Sequence, residues 1–329
     1  MSRVARSAAA ALPPAPETSG LLVVDKPAGP TSHDVVAIVR RALGAPGAGH
    51  LGTLDPAATG LLLVALGAAT RCIHLWQGGE KTYEAEFRFG VETSTDDMAG
   101  EVVTRREVNV DEAAIRAASV PLTGDLRQVP PMVSALKVGG RRLHEMARAG
   151  LTVERAARPV RVSEWTWLEF RLPEARARIR CSGGTYVRAL ARDLGDTLGC
   201  GAALSALRRT RSEPFGLERA VTLEDLRARN ASELWSQGGI PLGEALTGRP
   251  GLELSAEETE KLGHGNPFPR AVAGLPVAAD SAANDPLVLR DEAGTPLALA
   301  ERRPDPFDPA VTWIQPRVVF PWAVDEGRP

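Results

Sequence analysis

The sequence predicts an α+β protein with a small β-rich module at its carboxyl end. Short strands and amphipathic helices follow one another in the first part of the chain, and two of the strands alternate strictly between apolar and polar residues. The last ~80 residues instead contain a hairpin pattern and a final apolar strand. Glycine and proline separate these segments, so the elements can be assigned in order along the chain.

The first predicted elements are a buried strand and a helix. The strand reads LLVVDK and ends where Pro27 and Gly29 follow it. A helix is predicted over TSHDVVAIVRRALG, because Thr31 and Asp34 have the spacing of a capping box and apolar residues then recur at helical spacing until Gly44. A loop leads from this helix into the motif GHLGTLDPAATG, residues 49–60.

Two alternating strands and a second helix are predicted further along. In KTYEAEFRFG, the side chains of Tyr83, Phe87 and Phe89 share one side of a half-buried strand. The strand EARARIRC ends just before two glycines, Gly183 and Gly184, and a helix is predicted directly after them. Tyr186 and Arg188 lie at the start of that helix, where free backbone N–H groups favour an anion.

The length of 329 residues indicates two domains of about 150 residues each. The composition changes over GGIPLGEALTGRPG, residues 238–251, so we expect one domain over residues 20–248 and another over residues 249–329. The second contains the hairpin pattern PLVLRDEAGTPLALAER and a final strand, PRVVFPW. Residues 1–19 are rich in Ala and Arg and are expected to form a disordered tail, with an organelle-targeting segment as the alternative.

The composition argues against a membrane protein and against a disulfide framework. The longest apolar stretch, Leu61–Ala69, is well short of the ~20 residues that a membrane helix needs. The three cysteines lie far apart and the five histidines lack the spacing of metal ligands, which favours a reducing compartment.

The net charge of −2 hides an asymmetry along the chain. Residues 137–161 carry seven basic side chains against two acidic ones, whereas residues 253–308 carry eleven acidic against five basic. A polyanion held by one face of the protein fits this pattern, and so does a solvated charged helix.

Asp55 stands out because it precedes Pro56 at the edge of an apolar run. A carboxylate in such a place is costly to desolvate unless something binds it or uses it. As a nucleophile or a base it must stay ionised, which a cation within a few Å allows, and Arg188, Lys26 and His50 are the candidates. The alternative is a carboxylate that only stabilises a turn.

The other polar and aromatic candidates have simple explanations when each is taken alone. Tyr83 is either a core residue or a platform on which a nucleobase stacks, at ~1–3 kcal/mol per base. His50 fits a loop or cap position, and the adjacent Asp96 and Asp97 fit a solvated turn.

The combination of segments resembles the bacterial tRNA pseudouridine synthase B family, also called the TruB family. The segments that carry the resemblance, in this order, are LLVVDKPAGPTSHD, GHLGTLDPAATGLLLVALGAATR, KTYEAEFRFG, CSGGTYVRALARDLG and LRRTRSEPFGL. The resemblance runs from Leu21 to the carboxyl terminus. It implies a mixed, largely antiparallel sheet flanked by helices, the pseudouridine synthase fold, followed by a module that resembles the PUA RNA-binding domain.

The resemblance also implies an activity and its catalytic residues. The family isomerises the uridine conventionally numbered 55 in the T loop of tRNA to pseudouridine, without a cofactor or a metal. Asp55 matches the family's catalytic carboxylate, Arg188 matches the residue that pairs with it, and Tyr83 matches the tyrosine that stacks on the base.

Five further residues are expected, on the same resemblance, to bind the substrate: His50, Tyr186, Leu207, Lys26 and Lys137. Lys26 matches a motif lysine for which structural support and phosphate contact are the two roles considered. Lys137 belongs to an insertion over about residues 129–160 that resembles the part of the family that grips the T arm, and its positive charge suits phosphate contacts.

Three function hypotheses remain open. In the first, a tRNA uridine isomerase, Asp55 adds to the uracil ring, adds to ribose C1′ or abstracts the 2′ proton. The second is a tRNA-folding chaperone in which catalysis is secondary or lost, and the third is a small-molecule hydrolase, against which the basic insertion argues. For the isomerase we expect a cytoplasmic monomer that acts on tRNA, needs no protein partner and does not bind membranes.

Overall fold

The computed structural model describes residues 18–324, apart from residues 46, 135, 139, 144, 145, 147–150, 152, 274 and 276–285. The predicted tail, residues 1–19, therefore lies outside the described residues except at its last two positions. Within the described ranges, no helix has the length and apolar character needed to cross a membrane.

The strands and helices have the following bounds. The strands are β1 (Gly20–Lys26), β2 (Ala48–Leu51), β3 (Thr59–Leu66), β4 (Lys81–Phe89), β5 (Val91–Thr93), β6 (Val102–Arg105), β7 (Gly124–Gln128), β8 (Lys137–Val138), β9 (Arg141–Arg142), β10 (Arg158–Arg171), β11 (Glu174–Cys181), β12 (Ala202–Ser212), β13 (Phe215–Gly216), β14 (Gly239–Pro241), β15 (Gly251–Glu253), β16 (Phe268–Ala271), β17 (Leu287–Arg290), β18 (Pro296–Pro304) and β19 (Val311–Val319). The helices are α1 (Ser32–Ala42), α2 (His74–Gln77), α3 (Glu112–Ser119), α4 (Val187–Leu198), α5 (Asp225–Ala228), α6 (Ala231–Gly238), α7 (Leu242–Ala245) and α8 (Ala256–Gly263).

The larger sheet has ten strands and forms the centre of the first part of the chain. Its main path runs β14-β1-β3-β12-β4-β11-β10-β7, with β2 beside β3 and β13 beside β12. The pair β3 and β12 is parallel, whereas the other pairs in this sheet are antiparallel. The predicted mixed, largely antiparallel sheet is confirmed.

The apolar strands β1 and β3 bury side chains on both faces of this sheet. Leu22 belongs to a core cluster that also includes Leu194 and other residues of α1, α3 and α4, so these helices cover one face. Leu21 belongs to a second cluster on the opposite face, which includes Leu299 and Phe320 from the carboxyl-terminal part. Because successive strand residues point to opposite faces, a continuous apolar run is what such a two-sided position requires.

The carboxyl-terminal part contains a five-stranded sheet in the order β15-β17-β18-β19-β16. β17 and β18 form the antiparallel hairpin that the sequence predicts. The final strand is longer than predicted, because β19 begins at Val311 rather than near Pro316. The PUA-like character of this part stays a prediction.

The two helices that matter for the site begin where the sequence predicts. α1 follows a complete capping box in which the Thr31 side chain accepts from the backbone of Asp34 and the Asp34 side chain accepts from the backbone of Thr31. α4 follows the two glycines, with Tyr186 as its extended amino-terminal flanking residue. Tyr83 lies in the same core cluster as Phe87 and Phe89, as the alternation predicts.

Candidate active site

Asp55 lies in the loop between β2 and β3, and the loop is held from two sides. The hydroxyl of Ser32, at the start of α1, accepts from the Leu54 N–H at 2.9 Å and donates to the Leu54 carbonyl at 3.0 Å. The ammonium of Lys26, at the end of β1, donates to the carbonyls of Pro56 and Ala58 at 3.1 and 2.7 Å. The residues on both sides of Asp55 are therefore fixed.

The carboxylate of Asp55 forms an ion pair with Arg188, the second residue of α4. The Arg188 Nε lies 2.9 Å from Asp55 Oδ2, and the Arg188 side chain is only 4% exposed whereas that of Asp55 is 39% exposed. The other guanidinium nitrogens donate to the carbonyls of Thr95 at 2.7 Å and Val133 at 2.9 Å. A buried guanidinium thus presents one edge to a carboxylate that still faces a cavity.

This cavity has a volume of about 220 Å³ and contains five of the eight predicted site residues. They are Asp55, Tyr83, Tyr186, Arg188 and Leu207. Since one water occupies ≈ 30 Å³ in the liquid, the space suits a group of several heavy atoms, such as a single heterocyclic base. No group of three or more possible metal-ligating side chains occurs in the part of the chain that the structure describes.

Two basic side chains that were not predicted from the sequence, Arg209 and Lys81, also line the cavity. The guanidinium of Arg209, which is buried, donates from Nε to the Leu61 carbonyl at 2.7 Å and from Nη2 to the Gly52 carbonyl at 3.1 Å. Lys81 also lines the cavity, and burial lowers the pKa of its ammonium to about 8. Burial raises the pKa of the Tyr83 phenol, so this side chain is neutral at physiological pH.

Lys26 does not line this cavity. Its side chain is buried, and the ammonium donates to the carbonyl of Pro27 at 3.0 Å as well as to those of Pro56 and Ala58. Burial lowers the pKa of this ammonium to about 8. Of the two roles considered for Lys26, this geometry favours structural support over contact with a phosphate.

His50 lies on β2, outside the residues that line the cavity, with its ring edge-on to that of His33 at a centroid distance of 5.0 Å. Burial, together with the nearby His33 and Arg209, lowers the pKa of His50 to about 4. His50 is therefore neutral at physiological pH and cannot be the cation beside Asp55. The Lys26 ammonium is used on backbone carbonyls, and the candidate in direct contact with the carboxylate is Arg188.

The expectation that Asp96 and Asp97 form a solvated turn is wrong. The Asp96 carboxylate lies 3.1 Å from Arg192 Nη1, and burial raises its pKa. Asp97 accepts from the Thr95 hydroxyl at 2.6 Å and lies 3.5 Å from Arg188 Nε. The sequence does not indicate these contacts, because Arg188 and Arg192 reach the acidic loop from α4, about 90 residues further along the chain.

Lys137 cannot be placed, since its side chain lies outside the described residues; only its backbone, in β8, is described. The base of the insertion is described and contacts α4. Val133 accepts from Arg188, and Val129 accepts from Arg192 at 3.1 Å. Ser134 lines the cavity.

Comparison with family models gives the class of protein. Residues 40–187 match the model described as TruB family pseudouridylate synthase (N terminal domain), and residues 188–239 match the tRNA pseudouridylate synthase B C-terminal domain. These matches place the chain among the pseudouridylate synthases.

Individual relatives narrow this class. The chain is 45% identical over 304 residues to tRNA pseudouridine synthase B of Thermobifida fusca. The matched region covers 89% of this chain and 98% of the relative. It is 46% identical over 259 residues to the protein of the same name from Aromatoleum aromaticum, covering 78% of this chain and 83% of that one. The chain belongs to the tRNA pseudouridine synthase B family.

Solved structures with the same fold are more distant in sequence. One is an H/ACA RNP bound to a substrate RNA containing 2′-deoxyuridine, with a TM-score of 0.67, 26% identity and coverage of 93% of this chain and 86% of that one. Another is an archaeal box H/ACA sRNP Nop10-Cbf5 complex, with a TM-score of 0.65, 26% identity and coverage of 94% and 92%. The fold of nearly the whole chain is therefore represented in H/ACA ribonucleoprotein structures.

Proposed function

We propose that this protein isomerises the T-loop uridine conventionally numbered 55 in tRNA to pseudouridine, as a cytoplasmic monomer that needs no protein partner. The observation that carries the proposal is the Asp55 carboxylate, which faces the cavity while a buried Arg188 holds it at 2.9 Å. The relatives named tRNA pseudouridine synthase B support the choice of tRNA as the substrate.

The size and depth of the cavity require the target base to leave the stack of the T loop. Flipping a base out costs a few kcal/mol. Stacking on an aromatic side chain returns ~1–3 kcal/mol, and we assign this role to Tyr83, one of the aromatic side chains that line the cavity. Tyr186 and Leu207 complete its walls.

Asp55 carries the chemistry in this proposal. It adds to the uracil ring, adds to ribose C1′ or removes the 2′ proton, and all three routes share the later steps. The bond between N1 and C1′ breaks, the uracil rotates, and a bond forms between C5 and C1′. The proton on C5 is then lost to a base or to water, and N1 takes up a proton in its place. Asp55 gives back what it took, because its bond to the ring or to C1′ breaks or the 2′ proton returns. The product is therefore an isomer of the substrate and no other reactant is consumed. Arg188 balances the negative charge of Asp55 through the ion pair at 2.9 Å and fixes where the carboxylate meets the base.

The T arm occupies the rim of the cavity, on the basic insertion that includes Lys137. The insertion's excess of Lys and Arg neutralises phosphates, while the shape of the loop and its splayed bases provide recognition. His50, half-buried beside the catalytic loop, contacts the T loop as a neutral imidazole.

The proposal is tested with an unmodified tRNA transcript that carries tritium at C5 of its uridines. We expect the protein to release the tritium of one uridine per tRNA, because C5 exchanges its hydrogen for carbon. A transcript in which cytidine replaces the target uridine is the control and releases none. Binding of both transcripts without release from either would contradict the proposal and favour a folding chaperone.

A further inference from the structure

Two buried side chains hold the backbone on either side of the Asp55–Arg188 pair, and both do so with the same arrangement of hydrogen bonds. Ser32 is 1% exposed and Gln128 is 3% exposed. Each donates to the carbonyl and accepts from the N–H of a single residue, which is Leu54 for Ser32 and Tyr186 for Gln128.

Ser32 anchors the loop at the residue directly before Asp55. Its hydroxyl lies 2.9 Å from the Leu54 nitrogen and 3.0 Å from the Leu54 oxygen. Ser32 is the first residue of α1, but the start of that helix is already capped by Thr31 and Asp34. The Ser32 hydroxyl therefore does not cap its own helix. It bonds instead to Leu54, 22 residues away, in the loop that contains Asp55.

Gln128 anchors the chain two residues before Arg188. Its side-chain oxygen accepts from the Tyr186 N–H at 2.8 Å, and its side-chain nitrogen donates to the Tyr186 carbonyl at 3.1 Å. Gln128 ends β7, where it pairs with Arg158 of β10. α4 has no side-chain cap at its own start, so Gln128 fixes this end of the helix from outside.

The two anchors connect the ion pair to different parts of the fold. Ser32 ties the Asp55 end to α1, whereas Gln128 ties the Arg188 end to the edge of the large sheet. A backbone residue held through both its N–H and its C=O has little freedom to rotate, much as in one rung of an antiparallel ladder. The distance between the carboxylate and the guanidinium is thereby set by residues that do not line the cavity.

On the basis of the proposed function, we propose that Ser32 and Gln128 are positioning residues for the reaction. They hold Asp55 and Arg188 in position relative to a flipped base. Neither contacts the reacting atoms. A misplacement of about 1 Å at a reacting centre can lower a rate by 10²-fold, so the loss of either anchor should slow the chemical step while leaving the RNA-binding surface in place.

The variants Ser32→Ala and Gln128→Met remove the hydrogen bonds at little cost in volume. Ser119→Ala is the matched control, because the buried Ser119 hydroxyl also makes one donated and one accepted bond, to the Arg116 carbonyl and from Trp167 Nε1, and lies outside the cavity. Single-turnover tritium release and the Kd for tRNA are measured for each variant. We expect a 10–100-fold slower release for Ser32→Ala and Gln128→Met, a Kd within about twofold of the unchanged protein, and no change in either quantity for Ser119→Ala.

Amide hydrogen exchange provides a readout that does not depend on activity. Exchange at the Leu54 amide should accelerate in Ser32→Ala, exchange at the Tyr186 amide should accelerate in Gln128→Met, and neither should change in Ser119→Ala. Faster exchange with unchanged release would overturn the proposal, as would slower release matched by an equal loss of tRNA affinity. Unchanged exchange at both amides would also overturn it, since the anchors would then hold nothing. Absence of release by the unchanged protein would instead refute the proposed function, and the exchange data would still decide whether the anchors exist.

Discussion

Arg188 bonds to three separate segments of the chain while it is almost completely buried. Its guanidinium contacts the carboxylate of Asp55 and the carbonyls of Thr95 and Val133. Because a buried cation is tolerated only when its hydrogen bonds are satisfied, this arginine organises the loops around the cavity as well as pairing with the carboxylate.

We predict that Arg188→Ala lowers the single-turnover rate of tritium release by at least about 10²-fold and changes the Kd for tRNA by no more than a few-fold. The carboxylate loses its ion-pair partner, whereas Arg188 is only 4% exposed and offers almost no surface of its own to RNA. Arg178→Ala, at an exposed arginine of β11, is the control and should leave both quantities unchanged. Weakened binding with an intact rate would refute this role.

The lowered pKa of His50 predicts that the free energy of unfolding depends on pH. Its pKa is about 4 in the folded protein and 6.5 in an unfolded chain, so the unfolded chain binds the proton more readily. Stability therefore decreases as the pH falls from about 6.5 towards 4. We expect urea unfolding at pH 7 and pH 5 to show a smaller loss of stability for His50→Gln than for the unchanged protein. An equal loss would show that His50 titrates normally.

Five of the side chains that line the cavity can be identified from the sequence, whereas some other lining and supporting side chains cannot. Asp55 stands out by its position before Pro56, Arg188 is one of three candidate cations for it, and the family resemblance implies their roles. Gln128 and Arg209 were missed, because a buried polar residue acquires its meaning only from partners that are distant in sequence.

The parallel pairing of β3 with β12 holds the end of the Asp55 loop beside the cavity. The two strands pair in parallel, with Gly60 opposite Arg209. Gly60 has a φ of +96°, and a Cβ at this position would overlap the backbone of Arg209. Glycine is therefore required here both by conformation and by the close approach of the strands.

We predict that Gly60→Ala destabilises the protein by roughly 3 kcal/mol or more, the sum of left-handed strain and overpacking. Gly248→Ala is the matched control, because Gly248 has a similar φ of +83° but has no neighbouring atom within 4 Å of where a Cβ would lie. It should cost only ~1–2 kcal/mol. Urea denaturation measures both, and equal costs would show that the two strands can separate.

Helices with local signals were predicted better than the ends of strands. The capping box before α1 and the glycines before α4 are local, so the sequence locates both helices. β19 begins earlier than predicted because its first residues pair with β18 and β16, and this pairing is not encoded locally.

Across the whole molecule, the two parts of the chain share a core. Phe320 and Leu299 of the carboxyl-terminal part belong to the same buried cluster as Leu21 and Leu63 of the large sheet. The composition change that suggested a domain boundary does not indicate this shared core, since Leu21 and Leu63 are more than 200 positions from Leu299 and Phe320 in the sequence.

We predict that Phe320→Ala lowers the free energy of unfolding by ~3–5 kcal/mol, and that tryptophan fluorescence and circular dichroism still report one coincident transition. Phe307→Ala is the control, because Phe307 is 93% exposed, and it should change stability by less than about 0.5 kcal/mol. Two separate transitions for Phe320→Ala would show that the parts unfold independently.

In the proposed reaction, Asp55, held by Arg188, acts on the target uridine. The decisive experiment is single-turnover tritium release by Asp55→Asn, measured together with its Kd for tRNA. The substitution keeps the size of the side chain and removes its charge, so release should fall by at least about 10⁴-fold while the Kd stays within a few-fold of that of the unchanged protein. Release at the rate of the unchanged protein would contradict the claim and require another group to act on the base.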